Sequence, residues 1–342
     1  MNKTELKKLA EKINDYHIAH SPESGDNHWE RGAYFIGDLA AYRLIGKKEY
    51  LDYALRWAND NEWRFSRDPE FKSVNPDSKI CGQAYYELMD LIPGCGTDRN
   101  MLLTLEYNFS DENNDYWWWI DSIYMALPFY SMYSKRTGDK RGYEKAYRLF
   151  NNTKTERRLY DEQEKLWYRD ERFLPERELT PNGKKIFWSR GNGWVFAGLS
   201  RAAGILPDNE GHRDEYVKIL RDMAESVSKT QDEDGLWRVS LYDKYQFDVP
   251  ESSGTLLFVY GMINGINKGI LDGKYIKNVI SGFKALLDKC VDKDGRVGWV
   301  QGIAWGPSPV EKKHTNDYAV GTILLAISGL CEYLDKTGKE DL

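Results

Sequence analysis

Cysteine and histidine are both scarce in this chain of 342 residues. Cys81, Cys95, Cys290 and Cys331 lie far apart and form no C-x-x-C pair, which excludes zinc-ligand spacing and a disulfide framework. They read as reduced and mostly buried thiols. His17, His20, His28, His212 and His314 are the five histidines, none at metal-ligand spacing, so neither a metal nor another cofactor is expected. An excess of positive charge is also missing. The 48 Lys+Arg against 54 Asp+Glu give a net charge of −6, which argues against a nucleic-acid or anionic-membrane partner. No uncharged apolar run approaches about 18 residues, so no membrane span is expected. The opening MNKTELKKLAEKI has no apolar core of a secretory signal, and a cytoplasmic location is the expectation. Gly and Pro, 29 and 11 residues, stay near ordinary usage and exclude low complexity. G-x-S-x-G, G-x-x-x-x-G-K-[ST], H-E-x-x-H and a strand-borne G-x-G-x-x-G are all absent.

Aromatic rings are abundant: 12 Trp, 23 Tyr and 12 Phe, 14% of the chain, which excludes a disordered scaffold. Apolar residues recur at helical spacing, as in Leu6, Leu9, Ala10, Ile13 and Tyr16, or Tyr216, Ile219, Leu220, Met223 and Val227. About twelve such segments follow one another, near 4–18, 32–45, 49–61, 80–92, 97–108, 120–136, 140–157, 190–204, 212–230, 252–267, 273–290 and 317–335. Pro128 is expected to kink or break the sixth. Connectors recur as well. Gly46 and Gly138 each follow a helical pattern and precede a short polar turn with an aromatic residue, as a Gly C-cap does, and Gly269 heads a looser copy. A second element, Asp232-Glu-Asp-Gly235-Leu-Trp237, returns as Asp292-Lys-Asp-Gly295 before Trp299. These turns lack the later ligands of a calcium loop. Helical hairpins with tight connectors on one side and longer aromatic loops on the other predict an all-α (α/α)6 barrel of six hairpins. No linker composition divides the chain, so residues 1–342 are read as one domain.

Five aromatic or polar loops stand beside helix starts. In Asp115-Tyr-Trp-Trp-Trp119-Ile-Asp121, three consecutive Trp cannot all face one core, and Asp121 opens a helix among rings. Asp121 is either a helix cap or a carboxyl whose pKa is raised by desolvation towards that of a working acid. Phe187-Trp188-Ser-Arg190-Gly-Asn192-Gly-Trp194 offers a guanidinium fork and two indole faces, or else a surface Arg in a Gly turn. The others are Val249 to Thr255, Gly298-Trp299-Val-Gln301, and Val74 to Gln83 with its own carboxylate, Asp77. Flat apolar faces beside Arg, Asp and Gln are what a carbohydrate cleft requires.

The stretches WWWIDSIYMALPFY, LWYRDERF, GKKIFWSRGNGWVFAGL, DGLWRVSLYD, VPESSGT with YGMINGINKGIL, and GWVQ resemble glycoside hydrolase family 105 and the related family 88. The resemblance runs from about Trp29 to Leu334. It implies an (α/α)6 barrel without metal, acting on oligosaccharides that end in a 4,5-unsaturated uronic acid left by a polysaccharide lyase. The implied reaction is hydration: an acid protonates C4, water adds at C5, and the hemiketal collapses. By the resemblance Asp121 is the catalytic acid, which then helps activate the water. Asp77 is the second acidic position, and Arg190 and Trp194 lie beside the sugar. The segment NPDSKICGQ departs from the family's usual N-A-D-D through Ser78 and Lys79. Lys79 and Arg169 are therefore expected to supply the positive charge for the uronate, with Tyr168 as a neighbour. Trp119, Trp188, Trp237 and Gln301 complete the expected cleft. Two other readings stand beside this one: another (α/α)6 sugar enzyme, such as an inverting glycosidase or an epimerase, and a carbohydrate-binding relative that has lost activity. The expected partner is the unsaturated oligosaccharide, and the chain is expected as a monomer or homodimer.

Overall fold

Each of the twelve expected segments is an α-helix in the computed structural model, which describes residues 1–342. They are α1 Lys3–His20, α2 Trp29–Ile45, α3 Lys48–Asp60, α4 Ile80–Leu91, α5 Arg99–Ser110, α6 Ser122–Thr137, α7 Arg141–Asn151, α8 Ser189–Ile205, α9 Arg213–Lys229, α10 Ser253–Asn267, α11 Ile276–Lys289 and α12 Asp317–Thr337. A two-residue hairpin, Tyr160–Asp161 with Leu166–Trp167, is the one small sheet. The even-numbered helices pack in the order α2, α4, α6, α8, α10 and α12, and α12 returns to α2, closing a ring. The odd-numbered helices lie outside: α7 on α6, α9 on α8 and α11 on α10. This is the (α/α)6 barrel.

The division into two rings follows from the pattern of side chains. SGTLLFVYGMINGIN in α10 carries no charge and is buried nearly all round. The outer α9 buries one stripe, from Tyr216 to Val227, and shows water its charged face. α12 is by length and mean hydropathy, 1.3, capable of crossing a membrane. Its uncharged run stops at Glu332, and its apolar surface is spent inside the ring, with 78% of its most apolar 18-residue window buried. α2 and α12 meet at their glycines: a Cβ on Gly37 would stand 2.1 Å from the carbonyl oxygen of Gly321. No larger residue closes the ring there.

Pro128 does not break α6, which runs unbroken past it. Proline has no N–H for the carbonyl four residues earlier, that of Tyr124. Gln83 from α4 donates its side-chain amide to that oxygen at 3.0 Å and accepts from Arg201 of α8 at 2.8 Å. The orphaned acceptor thus becomes a link across three inner helices. The two Asp-x-Asp-Gly elements are the same turn. Gly235 and Gly295, at φ +89° and +99°, donate to Asp232 and Asp292 at 2.9 Å. Positive φ at both is the reason for glycine.

Candidate active site

The inner helices start at one end of the ring, which is where the aromatic loops gather. Arg190 at the start of α8 reaches the hydroxyl of Tyr318 at the start of α12, 2.8 Å away. Arg31 near the start of α2 pairs with Asp317 at 3.1 Å. The charge of Asp121, before α6, is felt by Asp77, which lies in a 3-10 turn over Pro76–Lys79 just before α4.

Asp121 occupies the N-cap position of α6, yet its side chain makes no capping hydrogen bond. Its backbone is pinned from the neighbouring residue, where Ile120 N–H donates to the carbonyl of Arg169 at 3.0 Å. Oδ2 is buried without a hydrogen-bond partner, and so is Nε of Arg169, 3.5 Å away. Burial drives the Asp121 pKa up, against the opposing charges of Arg169 and Arg190. Asp77 is pushed up to about 7, first by burial and then by the charge of Asp121, with Arg169 opposing. Two carboxyls thus share a desolvated pocket with one guanidinium. Such a pair retains a proton at a pH where two exposed carboxylates would both have lost theirs. It can donate a proton and, once ionised, accept one.

Arg169 is held on its far side by Asp170, which takes Nη1 at 2.7 Å and also binds Arg172 through Nε and Nη2 at 2.8 Å each. Burial works against the Asp170 charge, but these two arginines overcome it and keep the carboxyl below its usual range. The rings of Trp118 and Trp119 lie 5.5 and 5.9 Å from the Arg169 guanidinium carbon. Of the three consecutive indoles, Trp117 is buried in the core, Trp119 is nearly buried, and Trp118 is 43% exposed. The open indole beside Arg169 is therefore Trp118.

Several residues expected in the cleft lie elsewhere. Lys79 turns inward: its ammonium donates to the carbonyl of Ser73 at 2.6 Å and to Ser78 Oγ at 3.1 Å, above the ring of Phe65. Burial lowers its pKa to about 7, so it supplies no dependable charge to a uronate. Trp237 is fully buried, with Nε1 donating to Val227 O at 2.8 Å and its ring against Phe258. Tyr168 stacks on Phe187 and spends its hydroxyl on Asp161 at 2.6 Å. Trp188 and Gln301 are also fully buried, joined by Nε1 to Oε1 at 2.8 Å, and Gln301 holds Ser308 Oγ at 2.7 Å. Trp194 sits in a ring cluster with Trp29, Tyr124 and Tyr318. Arg190, expected to fork a carboxylate, gives Nη1 to Gln301 O, Gly302 O and Tyr318 Oη at 2.5 to 2.9 Å. It braces the loop after Trp299, and its charge still reaches Asp121.

Sequence reasoning named Asp77 and the three indoles but missed Asp170 and the charges around Asp77. Arg67, held at φ +52°, donates Nε to His28 Nε2 at 3.1 Å, and its charge and that of Glu30 act on Asp77. The alternation of neighbouring side chains pointed to one open indole but not to which. Nothing in the sequence signalled Arg67. A cavity of about 890 Å³ lies between the ends of α1, α2 and α12, with His28 and Glu30 in its lining.

The sequence profile of Glycosyl Hydrolase Family 88 matches residues 3–334. An unsaturated 3S-rhamnoglycuronyl hydrolase of Formosa agariphila is 33% identical, over 87% of this chain and 82% of that protein. Among solved structures, one described as a polysaccharide lyase is 34% identical with a TM-score of 0.91, covering 97% of this chain and 98% of that one. A glycosyl hydrolase family 88 protein from Bacteroides vulgatus is 29% identical, again at TM-score 0.91, covering 98% and 99%.

Proposed function

The chain belongs to glycosyl hydrolase family 88, and from that premise we propose that it is an unsaturated uronyl hydrolase. It removes the 4,5-unsaturated uronic acid from the non-reducing end of oligosaccharides made by polysaccharide lyases. The observation that carries this reading is the pair Asp77 and Asp121, both with raised pKa, around the unpartnered edge of Arg169.

Asp121 donates its proton to C4 of the vinyl ether. Positive charge then develops at C5 and the ring oxygen, where the newly ionised carboxylate and the partly exposed Asp77 stabilise it. Water adds to C5, and its proton returns to Asp121, so the carboxyl ends the cycle as it began. The hemiketal opens to a ketone at C5, and the hemiacetal left at C1 expels the remaining sugar chain as an alcohol. Arg169 and the inward-facing helix N-termini supply the positive field for the uronate carboxylate. Lys79 has no part in it. A cytoplasmic location belongs to the same proposal, supported by four free thiols of which three are buried.

The test is to incubate the protein with unsaturated disaccharides from pectin, glycosaminoglycan and ulvan lyases and follow the ultraviolet absorbance of the conjugated double bond. Loss of absorbance with wild type and none with Asp121→Asn is expected. Persistence with every substrate overturns the reading. A gain of absorbance on intact polysaccharide would instead mark an eliminase, the chemistry named for the 34%-identical lyase.

A further inference from the structure

Outward from Arg169 the rim carries a second arrangement. Asp170, nearly buried, ties Arg169 to Arg172, and two guanidiniums on one carboxylate leave the group with an excess positive charge. The Arg172 side chain is 49% exposed, and its Nη1 has no partner within the protein. Glu171 does not compete for it, being held by Arg157 at 2.9 Å. The Arg172 guanidinium stands 5.5 Å from the ring centre of Trp305, an indole 67% exposed to water.

Trp305 is not on a free loop. Arg190 grips the carbonyls of Gln301 and Gly302 on one side of it. On the other side Gly306 lies so close to Phe173 that a Cβ there would stand 2.5 Å from that ring. Trp305 is thus fixed, face open, beside a cation with a free edge, and both are joined through Asp170 and Arg169 to the carboxyl pair.

We propose that Trp305 and Arg172 form the subsite for the sugar attached to the unsaturated uronate, and that this sugar bears an anionic group. The indole stacks on the sugar's C–H face, and Nη1 of Arg172 donates to a sulfate ester or carboxylate. The proposal rests on the hydrolase reading for the identity of the neighbouring uronate.

Binding measured apart from turnover separates the two. Isothermal titration uses the Asp121→Asn protein with three unsaturated uronyl disaccharides, whose second sugar is a sulfated rhamnose, the same rhamnose without sulfate, or a uronic acid. Arg172→Ala in that background is expected to weaken an anionic ligand about tenfold, a charge-assisted hydrogen bond's worth, and to leave the neutral one unchanged. The sulfated and carboxylated arms identify the anion. Trp305→Ala is expected to weaken all three several-fold, with its melting temperature unchanged because the ring is exposed. Equal affinity for the three ligands, no binding of any, or no effect of either substitution overturns the subsite. Arg172-dependent binding without any turnover by wild type would keep the subsite and overturn the hydrolase reading.

Discussion

Two arcs of the same rim, built from similar residues, end in opposite states. The arc of Trp188, Arg190 and Gln301 is largely closed on itself: the indole N–H meets the glutamine, the glutamine meets Ser308, and Arg190 Nη1 meets two carbonyls and a hydroxyl, with Nε of Arg190 left without a hydrogen bond. The arc of Trp118, Asp121 and Arg169 is left open, with Asp121 Oδ2 and Arg169 Nε 3.5 Å apart but without hydrogen bonds, and an indole facing water. Burying polar atoms without partners costs free energy, so the open arc is where the fold has given up stability for a ligand. Both arcs hold a Trp, an Arg and a polar partner. What distinguishes them is that the first arc spends its indole N–H, its amide and most of its guanidinium on the protein, while the second leaves a carboxylate oxygen without a hydrogen bond.

The largest expected effect is at Asp121. Asp121→Asn should lower kcat by about 10³-fold, within the range of a lost acid–base group, while circular dichroism stays unchanged; a smaller loss would move the acid to Asp77. The arginines come next. Arg190→Ala should lower Tm by roughly 5 °C, since about 3 kcal/mol of buried hydrogen bonding disappears. Arg169→Ala should lower Tm less and kcat/KM by about 100-fold, an estimate for a charge lost beside the reacting bond. Equal melting losses in the two variants would erase the contrast between the arcs.

Titration sharpens it further. With Asp77 pushed up to about 7, the pair loses its remaining proton as pH rises through that value, and kcat/KM should fall there. The same shift acts on stability. Between the unfolded pKa near 4 and the folded one the native state binds more protons, so stability declines as pH rises. Asp77→Asn removes that decline, and its stability relative to wild type should rise from pH 5 to pH 8 by about 2.5 kcal/mol. A gap independent of pH would contradict the raised pKa. The smallest effect is at Trp237. Trp237→Phe should cost about 1 kcal/mol through the lost bond to Val227 and leave KM unchanged, and a raised KM would return Trp237 to the cleft.

The helices were legible because their evidence is local. Each of the twelve segments carries its own 3.6-residue period, and glycines such as Gly46 and Gly138, at φ +82° and +78°, end helices where the pattern stops. Asp121 was legible because rings surround it in sequence as well as in space. Lys79, Tyr168 and Trp237 misled for the opposite reason. Each stands next to a site segment along the chain, but whether its head faces the pocket depends on partners such as Ser73, Asp161 and Val227. Pro128 misled too, because its compensation comes from Gln83 on another helix.

The amino-acid sequence alone determined the helical period, the count of hairpins, the family and the carboxyl at the head of α6, since all of these are written in neighbouring residues. Tertiary structure alone decided which polar atoms are spent and which are free. It made Arg190 a brace and Arg169 an open charge, chose Trp118 from three identical neighbours, and set Trp305 beside Arg172 from a distant part of the chain. The physical reason is that a hydrogen bond is satisfied by whatever lies within reach in three dimensions, and ring closure brings those partners together from residues far apart in the chain.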